Sequence, residues 1–250
     1  MKAELSQSAF ATWSRRVLVI LFWLAVWEIA YLLIDRDIYF PSPVSVVMTF
    51  FRLLTEKNTW IIVGLSTYRT LFAIIASAVL GVVFGMACGL NRTMYDFVNP
   101  LMVVLKSTPV VSVIILSIIW FRSTDVPIFS GFLMCFPIVF TGTVAGVRGT
   151  DPKLVEMCSF YKVGHWDMLK KLYFPAAKSH INASVISEIG ICWKAVAAAE
   201  VLSMPRLSIG ANLYFAKTSL DPALLFAWTV IIILLSFVFE TIYAKVSGYD

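Results

Sequence analysis

Charged residues are scarce in this chain. Asp, Glu, Lys and Arg together make up 14% of its 250 residues, whereas hydrophobic residues make up 60%. A soluble domain usually has about a quarter of its residues charged, so the composition excludes an ordinary soluble protein. The alternating pattern of transmembrane β-strands is also missing, because segments such as "LVILFWLAVWEIAYLLI" are apolar on nearly all sides. The sequence therefore predicts an all-α, polytopic membrane protein.

The residue patterns of common catalytic and metal sites are absent from the sequence. The only histidines, His165 and His180, lack the spacing of metal ligands. No GxSxG, HExxH or GxxxxGKS/T motif occurs. The cysteines form no CxxC pair, which favours small buried side chains over disulfides or a thiolate site; they are Cys88, Cys135, Cys158 and Cys192. We therefore predict no enzyme activity, no metal and no cofactor bound by this chain.

Six apolar runs are long enough to cross a bilayer as helices. A hydrocarbon core of ~30 Å requires roughly 20 apolar residues, and the runs cover residues 17–34, 70–90, 97–121, 126–146, 181–202 and 223–244. The first run follows Arg15 and Arg16 but leads into no small-residue cleavage site, which indicates an uncleaved anchor. We expect six transmembrane helices in a single domain, residues 1–250.

The distribution of basic residues predicts the orientation in the membrane. With the N-terminus in the cytoplasm, the cytoplasmic side receives Lys2, Arg15, Arg16, Arg92, Arg148, Lys153, Lys162, Lys170, Lys171, Lys178 and Lys245. The outer side receives only Arg36, Arg52, Lys57, Arg122, Arg206 and Lys217. Both termini, Asp250 included, and residues 147–180 are therefore expected in the cytoplasm. The net charge of +5 then requires no nucleic-acid partner.

Two local patterns predict how parts of the chain are arranged. Residues 35–69 form the longest outer segment, in which "FPSP" precedes an amphipathic helix over "VSVVMTFFRLL". Ser77, Gly81, Gly85 and Gly89 recur every four residues and so lie on one helix face. Small residues in this spacing allow membrane helices to approach closely, which indicates a packing surface.

A polar segment, residues 151–175, lies between two of the apolar runs. Asp151 suits a helix N-cap and Pro152 the first helical position, and the helix should reach about Tyr161. Gly164 is the residue best suited to a left-handed turn. A second short helix should then run over "WDMLKKLYF" to Pro175. Two amphipathic helices joined by a tight turn would form a knob beneath the membrane, and we expect a partner to bind it.

The same segment resembles the cytoplasmic signature of the permease subunits of binding-protein-dependent ABC importers. That signature is EAA, three residues, Gly, nine residues, Ile, any residue, Leu and Pro, and its spacing matches from Glu156 to Pro175 without a gap. Met157 and Cys158 replace the alanines, and Lys162 replaces the glycine, with Gly164 a candidate for the turn. "ICWKAVAAAEVL" and "LSIGANL" resemble the nitrate, sulfonate and taurine branch. The resemblance covers roughly residues 60–245.

The resemblance implies a fold, a function and partners. It implies the type I ABC importer transmembrane fold, in a homodimer of the bacterial inner membrane. A separate ATPase would bind ATP and Mg, and an external solute-binding protein would deliver a small solute. The knob would be the coupling helix, formed by Glu156, Met157, Cys158, Phe160, Tyr161, Lys162, Gly164 and Pro175. Nitrate, bicarbonate, sulfonates and heterocyclic vitamin precursors all remain open as substrates.

Ionisable residues inside apolar runs are costly and indicate function by default. Lys106 and Glu188 have similar depths and could form an ion pair or occupy separate hydrated positions. Lys194 could face the translocation path and favour an anion, or pair with an acid of another span or reach the outer interface. Glu28, Glu200 and Glu240 lie towards the ends of runs, where they could reach the interface. The alternatives to an ABC permease are an ion-gradient-driven transporter or channel and, less well supported, a membrane enzyme.

Overall fold

A computed structural model describes residues 2–248, and the side chains of residues 15 and 17–248. Asp250, for which a cytoplasmic location is predicted, lies outside the described residues. The described chain is helical and contains no strand. Its helices are α1 (Lys2–Ile34), α2 (Pro43–Thr55), α3 (Lys57–Leu90), α4 (Arg92–Ser107), α5 (Val110–Trp120), α6 (Val126–Arg148), α7 (Pro152–Phe160), α8 (His165–Met168), α9 (Phe174–Ser203), α10 (Ile209–Thr218) and α11 (Pro222–Ser247). A π-helical segment, Leu169–Tyr173, connects α8 to α9.

The chain divides into two compact units, one of residues 1–59 and 213–231, the other of residues 60–212 and 232–250. In the smaller unit, Trp27 of α1 donates a hydrogen bond to the Pro41 carbonyl at 3.0 Å. The rings of Trp27, Phe40 and Phe226 lie 5.7 to 6.2 Å apart. The Ser42 hydroxyl accepts from the Ser45 amide at 3.1 Å and caps α2. The amphipathic helix predicted after "FPSP" is therefore confirmed.

The larger unit has a core formed chiefly by α6 and α9 against α3. Buried side chains of all three helices meet there, among them Ala73, Val139, Ile189, Cys192 and Trp193. The predicted small-residue face of α3 packs on α6. A Cβ atom added to Gly81, Gly85 or Gly89 would lie only 2.8, 2.6 or 2.7 Å from a side-chain carbon of α6. The packing function predicted for this face is therefore confirmed.

The predicted span 97–121 is not one straight helix. The chain breaks between α4 and α5, whose axes differ by 101°. Pro109 has no amide hydrogen to continue a helix, and a residue before proline is pushed towards extended backbone. Thr108 accordingly has φ −72° and ψ 127°. The segment is a bent helix pair, and its crossing of the membrane as one span stays a prediction.

By length and composition, four helices of the described residues could span a membrane, and five if the bent pair counts as one. They are residues 17–34 of α1 together with α3, α6 and α11. The predicted span 181–202 lies within α9, whose 30 residues measure about 45 Å at ~1.5 Å per residue. Glu188, Lys194 and Glu200 make α9 the most polar of the long helices in the larger unit. The number six stays a prediction.

Helix α3 begins earlier than predicted, at Lys57 instead of residue 70. Its 34 residues measure about 51 Å at ~1.5 Å per residue, which exceeds the ~30 Å core of a bilayer. The start of α3 can therefore be helical and still project from the membrane. No proline interrupts residues 57–70, so nothing in the local sequence stops the helix there.

Candidate coupling and translocation sites

The segment predicted to form a knob is a helical hairpin, here called the hairpin (residues 151–175). The Asp151 carboxylate accepts from the Lys153 amide at 2.9 Å, and Pro152 occupies the first turn of α7. This confirms the N-cap predicted from the sequence. Helix α7 ends at Phe160, one residue before the predicted end.

The turn of the hairpin is a Schellman motif with Lys162 at its left-handed position. The Lys162 amide donates to the Ser159 carbonyl and the Val163 amide to the Cys158 carbonyl, both at 3.0 Å. These two bonds define the motif, whose left-handed residue is usually glycine. Lys162 has φ +52°, whereas Gly164 has φ −61° and ψ 148°. The expectation that Gly164 makes the left-handed turn is therefore wrong, because the turn occurs at the glycine position of the family signature.

The second arm of the hairpin continues directly into α9. Pro175 lies at the second position of α9 and has no amide hydrogen for an ordinary helical bond. The preceding π-helical segment accommodates it, since the Phe174 amide donates to the Leu169 carbonyl five residues back. The second short helix is therefore not separated from α9 at Pro175. The Lys171 ammonium, 2.9 Å from Asp167, holds the pKa of that carboxyl below its usual value.

The hairpin exposes large side chains that a soluble surface would rarely leave uncovered. Phe160 is 82% exposed, Tyr161 72% and Met157 49%, and the two rings pack edge to face with centroids 5.5 Å apart. Glu156 is exposed beside them, whereas Cys158 is half-buried under the turn. Exposed aromatic side chains with a neighbouring charge are typical of a protein-docking surface.

A second candidate site is one side of α9, here called the α9 face (Ser184, Ser187, Ile191, Lys194 and Ala198). Ser187, Ile191 and Lys194 are exposed there, whereas Ser184 and Ala198 are half-buried. These residues follow one another at intervals of three or four, so they lie on one side of the helix. Lys194 is exposed and forms no hydrogen bond or ion pair within the described chain. The opposite side of α9 is buried in the core of the larger unit.

Lys106 and Glu188 do not form an ion pair. The Lys106 ammonium donates to the Thr141 hydroxyl at 3.0 Å. Gly142, the next residue of α6, packs against Ser184 of the α9 face, so Lys106 binds α6 one residue from the contact of α6 with that face. Glu188 is fully buried and accepts a hydrogen bond from Ser77. Glu188 therefore lies in the interior of the larger unit. Its role in the translocation path stays a prediction.

The structure contains a buried polar cluster that the sequence did not reveal. Glu200 accepts from the Ser66 hydroxyl at 2.8 Å, from Arg69 at 3.0 Å and from the Gly210 amide at 3.0 Å. Side-chain exposure is 1% for Glu200 and 7% for Arg69. The expectation that Glu200 reaches the membrane interface is therefore wrong. The one available signal was a base at the edge of one apolar run and an acid within another, 131 positions apart.

This cluster also caps α10. The first three amides of α10 all find acceptors: Ile209 donates to the Ser66 hydroxyl, Gly210 to Glu200 and Ala211 to the Ser208 hydroxyl, at 3.0, 3.0 and 3.1 Å. A helix N-terminus favours a nearby anion, so the carboxylate stabilises α10 as well as Arg69. The cluster thereby joins α3, α9 and the start of α10 within the larger unit.

Comparison with known proteins places this geometry in a family. Residues 81–247 match the sequence model of the family described as "Binding-protein-dependent transport system inner membrane component". The matched region includes the whole hairpin and the α9 face, and it covers well over half of the chain.

Individual relatives agree with the family match. The chain is 22% identical to the taurine transport system permease protein TauC of Escherichia coli, over 86% of this chain and 80% of TauC. It is 27% identical to the nitrate import permease protein NrtB of Synechocystis, over 72% of this chain and 68% of NrtB. These names confirm the resemblance to the nitrate, sulfonate and taurine branch.

A solved structure confirms the fold. The chain superimposes on the MetNI methionine ABC transporter in an inward-facing conformation with TM-score 0.60 and 12% identity, over 76% of this chain and 92% of that chain. The fold is thus that of a type I ABC importer transmembrane domain. The family is one of permease subunits that act with a separate ATPase and a solute-binding protein. The chain therefore belongs to the binding-protein-dependent transport system inner membrane components, the membrane-spanning permease subunits of ABC importers.

Proposed function

We propose that two copies of this chain form a homodimer and that their α9 faces line one translocation path for a small anion. The observation that carries the proposal is the unpaired, exposed Lys194, about two thirds of the way along α9. At about 1.5 Å per residue, Lys194 lies roughly 30 Å from the start of α9, too far for its side chain to reach the water at that end. A lysine at such depth requires water or an acid.

A second copy would supply the missing surroundings of this face. Most of the exposed surface of the larger unit is apolar and suits contact with lipid. Without a second copy, Ser184, Ser187 and Lys194 would face hydrocarbon as well. Closed two-fold symmetry is the commonest arrangement of identical subunits. Two copies with their α9 faces opposed would enclose a polar path, and they would present two hairpins to two ATPase subunits.

The charge of the path favours an anionic substrate. Lys194 and Lys106 both lie on the exposed side formed by α9 and α6, whereas Glu188 is buried. The relatives named for nitrate and taurine carry a nitrate ion and a sulfonate group, respectively, as substrate chemistry. We infer that the substrate of this chain bears a comparable small oxyanion group.

The hairpin would transmit the work of the ATPase to the membrane helices. Phe160 and Tyr161 would enter a groove of the ATPase, with Met157 and Glu156 beside them. The Cys158 carbonyl and Lys162 form the turn, and Gly164 follows it in extended backbone. Because the second arm continues into α9 through the π-helical segment at Pro175, a displacement of the hairpin would move α9 directly. ATP and Mg would be bound by the ATPase, since this chain has no GxxxxGKS/T loop.

The orientation that serves this mechanism has the hairpin and both termini in the cytoplasm. The larger number of Lys and Arg residues on that side supports it. The solute-binding protein would then meet the opposite side, and the complex would lie in the bacterial inner membrane.

Transport by a Lys194→Met variant tests the path. The full importer is reconstituted in vesicles, and uptake of radiolabelled nitrate or taurine is measured with each candidate solute-binding protein. We expect uptake slowed at least tenfold, with unchanged assembly and basal ATP hydrolysis. Lys217→Met, which removes an exposed lysine of α10 instead, serves as the matched control. Uptake at the parental rate, or failure of the Lys194 variant to assemble, would contradict the path-lining function.

A further inference from the structure

The larger unit contains an apolar groove of about 600 Å³ that the transport mechanism does not use. It lies among α3, α9 and α11, and the side chains that line it include Val79, Phe174, Ile181, Val185, Ile242 and Tyr243. On α9 the lining runs from Phe174 to Ile189, which is roughly 22 Å at ~1.5 Å per residue. This length exceeds half of a ~30 Å hydrocarbon core but not the whole. The groove therefore suits the acyl chain of a lipid in one leaflet.

A lysine stands at one end of the groove on the same face of α9. Lys178 lies between Phe174 and Ile181 at intervals of four and three residues, so it continues the line of groove residues along the helix. Its side chain is exposed and forms no hydrogen bond or ion pair within the described chain. Lys245 of α11, also exposed, adjoins the groove residue Val246. The end of the groove that meets the membrane surface thus carries positive charge.

The polar groups beside these lysines are already occupied. The Tyr243 hydroxyl donates to the Asn182 side-chain oxygen at 3.3 Å, and the Asn182 amide donates to the Ser247 carbonyl at 3.5 Å. Asp167 is paired with Lys171 at 2.9 Å. Lys178 and Lys245 are therefore left as the groups that can hold an external anion at this end, and Lys178 is the one that continues the line of groove residues on α9.

We propose that the groove binds an anionic phospholipid, with one acyl chain along α9 and the phosphate beside Lys178. The apolar walls accept the acyl chain. The Lys178 ammonium pairs with the phosphate of a phosphatidylglycerol headgroup, for which the side chains that line the groove offer no charged partner. A lysine near the membrane surface attracts anionic lipid by ~1 kcal/mol, which is about fivefold in affinity. This site is separate from the α9 face, because Lys178 and Lys194 lie on different sides of the helix.

Native mass spectrometry of the delipidated full-length chain tests the proposal. The protein is titrated with phosphatidylglycerol and with phosphatidylcholine of identical acyl chains. We expect tighter binding of phosphatidylglycerol, and a Lys178→Gln variant that loses about fivefold in affinity for it while its affinity for phosphatidylcholine is unchanged. Lys153→Gln, which removes an exposed lysine of α7, should bind both lipids like the parent.

Variants that fill the groove provide the second arm of the experiment. Val79→Trp and Ile242→Trp add bulk at exposed lining positions, so the fold should tolerate them and both lipids should bind more weakly. Equal affinity of the parent for the two lipids, or undiminished binding by Lys178→Gln, would overturn the assignment of the headgroup site. Undiminished binding by both tryptophan variants would overturn the groove. In an Ile242→Cys variant, cross-linking of the new cysteine to a second copy of the chain would also overturn it, because a protein segment would then occupy the groove.

Discussion

Lys162 shows how one residue can occupy a position that its chemistry does not favour. A residue with a Cβ atom costs ~1–2 kcal/mol in the left-handed region, yet Lys162 has φ +52° at the end of α7. The two backbone bonds of the Schellman motif hold it there. Gly164 has ordinary extended backbone, and no atom lies within 4 Å of where its Cβ would be.

Lys162→Gly should therefore stabilise the hairpin, and Gly164→Ala should leave it nearly unchanged. The glycine removes the left-handed strain but loses more backbone entropy, for a net gain of ~0.5–1 kcal/mol. Hydrogen–deuterium exchange of the α7 amides measures this gain, and we expect severalfold slower exchange in Lys162→Gly. Faster exchange in Lys162→Gly than in Gly164→Ala would show that the turn is assigned to the wrong residue.

Glu200 is the residue whose replacement should cost most. Its removal leaves the Arg69 guanidinium buried without an anion and the Gly210 amide without an acceptor. Breaking a buried ion pair costs ~3–5 kcal/mol, so Glu200→Ala should greatly lower the midpoint of unfolding in mixed detergent micelles. Glu56→Ala, at an exposed acid, is the control and should change little.

A second substitution separates the ion pair from the cap of α10. In Arg69→Met/Glu200→Leu no buried charge is left unpaired, so part of the stability should return. Full recovery is not expected, because the Gly210 amide still lacks its acceptor. A Glu200→Ala variant as stable as Glu56→Ala would contradict the structural role of the cluster.

At the scale of elements, the hairpin and α9 form one continuous unit. The π-helical segment connects the second arm to α9 at Pro175 without a break in the helical backbone. Helix α3 is held against α6 by its glycines at van der Waals contact. In the proposed mechanism, the packing of α3, α6 and α9 would transmit a movement at the hairpin to the α9 face.

Tyr161→Ala or Glu156→Ala should weaken docking of the ATPase while leaving the membrane subunit folded. Both side chains are exposed, so their loss removes no internal contact of the core. A docked interface anchor is worth ~2 kcal/mol or more, or about 30-fold in affinity. Co-purification of the ATPase and substrate-stimulated ATP hydrolysis measure the loss. Phe237→Ala, which removes an exposed ring of α11, is the control, and unchanged docking in both hairpin variants would exclude the hairpin as the ATPase site.

At the scale of the whole molecule, the question is how the chain crosses the membrane. Among the described residues, four helices could span a membrane by length and composition, and five if the bent α4 and α5 pair counts as one span. The predicted single domain of residues 1–250 stays a prediction, since the described chain divides into two compact units. The charged residues of α9 lower its hydropathy. Two of them, Glu188 and Glu200, are buried in the larger unit, and Lys194 is exposed.

Reporter fusions should place residue 160 in the cytoplasm and residues 35–60 outside. The expected result follows from the larger number of basic residues on the hairpin side, since Lys and Arg near spans stay in the cytoplasm. Fusions of alkaline phosphatase and of green fluorescent protein at residues 45 and 160 report the two sides. Phosphatase activity at residue 160 would contradict the coupling function of the hairpin.

The sequence by itself determined what depends on neighbouring residues. Apolar runs of about 20 residues indicated membrane helices, Asp151 and Pro152 marked the start of α7, and the spacing from Glu156 to Pro175 identified the family. Ser77 and the glycines of α3 marked a packing face because helical periodicity alone brings them together. Each of these signals depends on the composition, spacing or helical periodicity of residues that are close together in the chain.

Only the tertiary structure decided which distant residues meet. Glu200 was expected at the interface but is paired with Arg69, and Lys106 bonds Thr141 instead of Glu188. The left-handed residue is Lys162 because the backbone bonds of α7 end there, although Gly164 has the more permissive side chain. A charge in an apolar run must find a partner, but the sequence does not specify which one, because that choice follows from the packing of α3, α6 and α9.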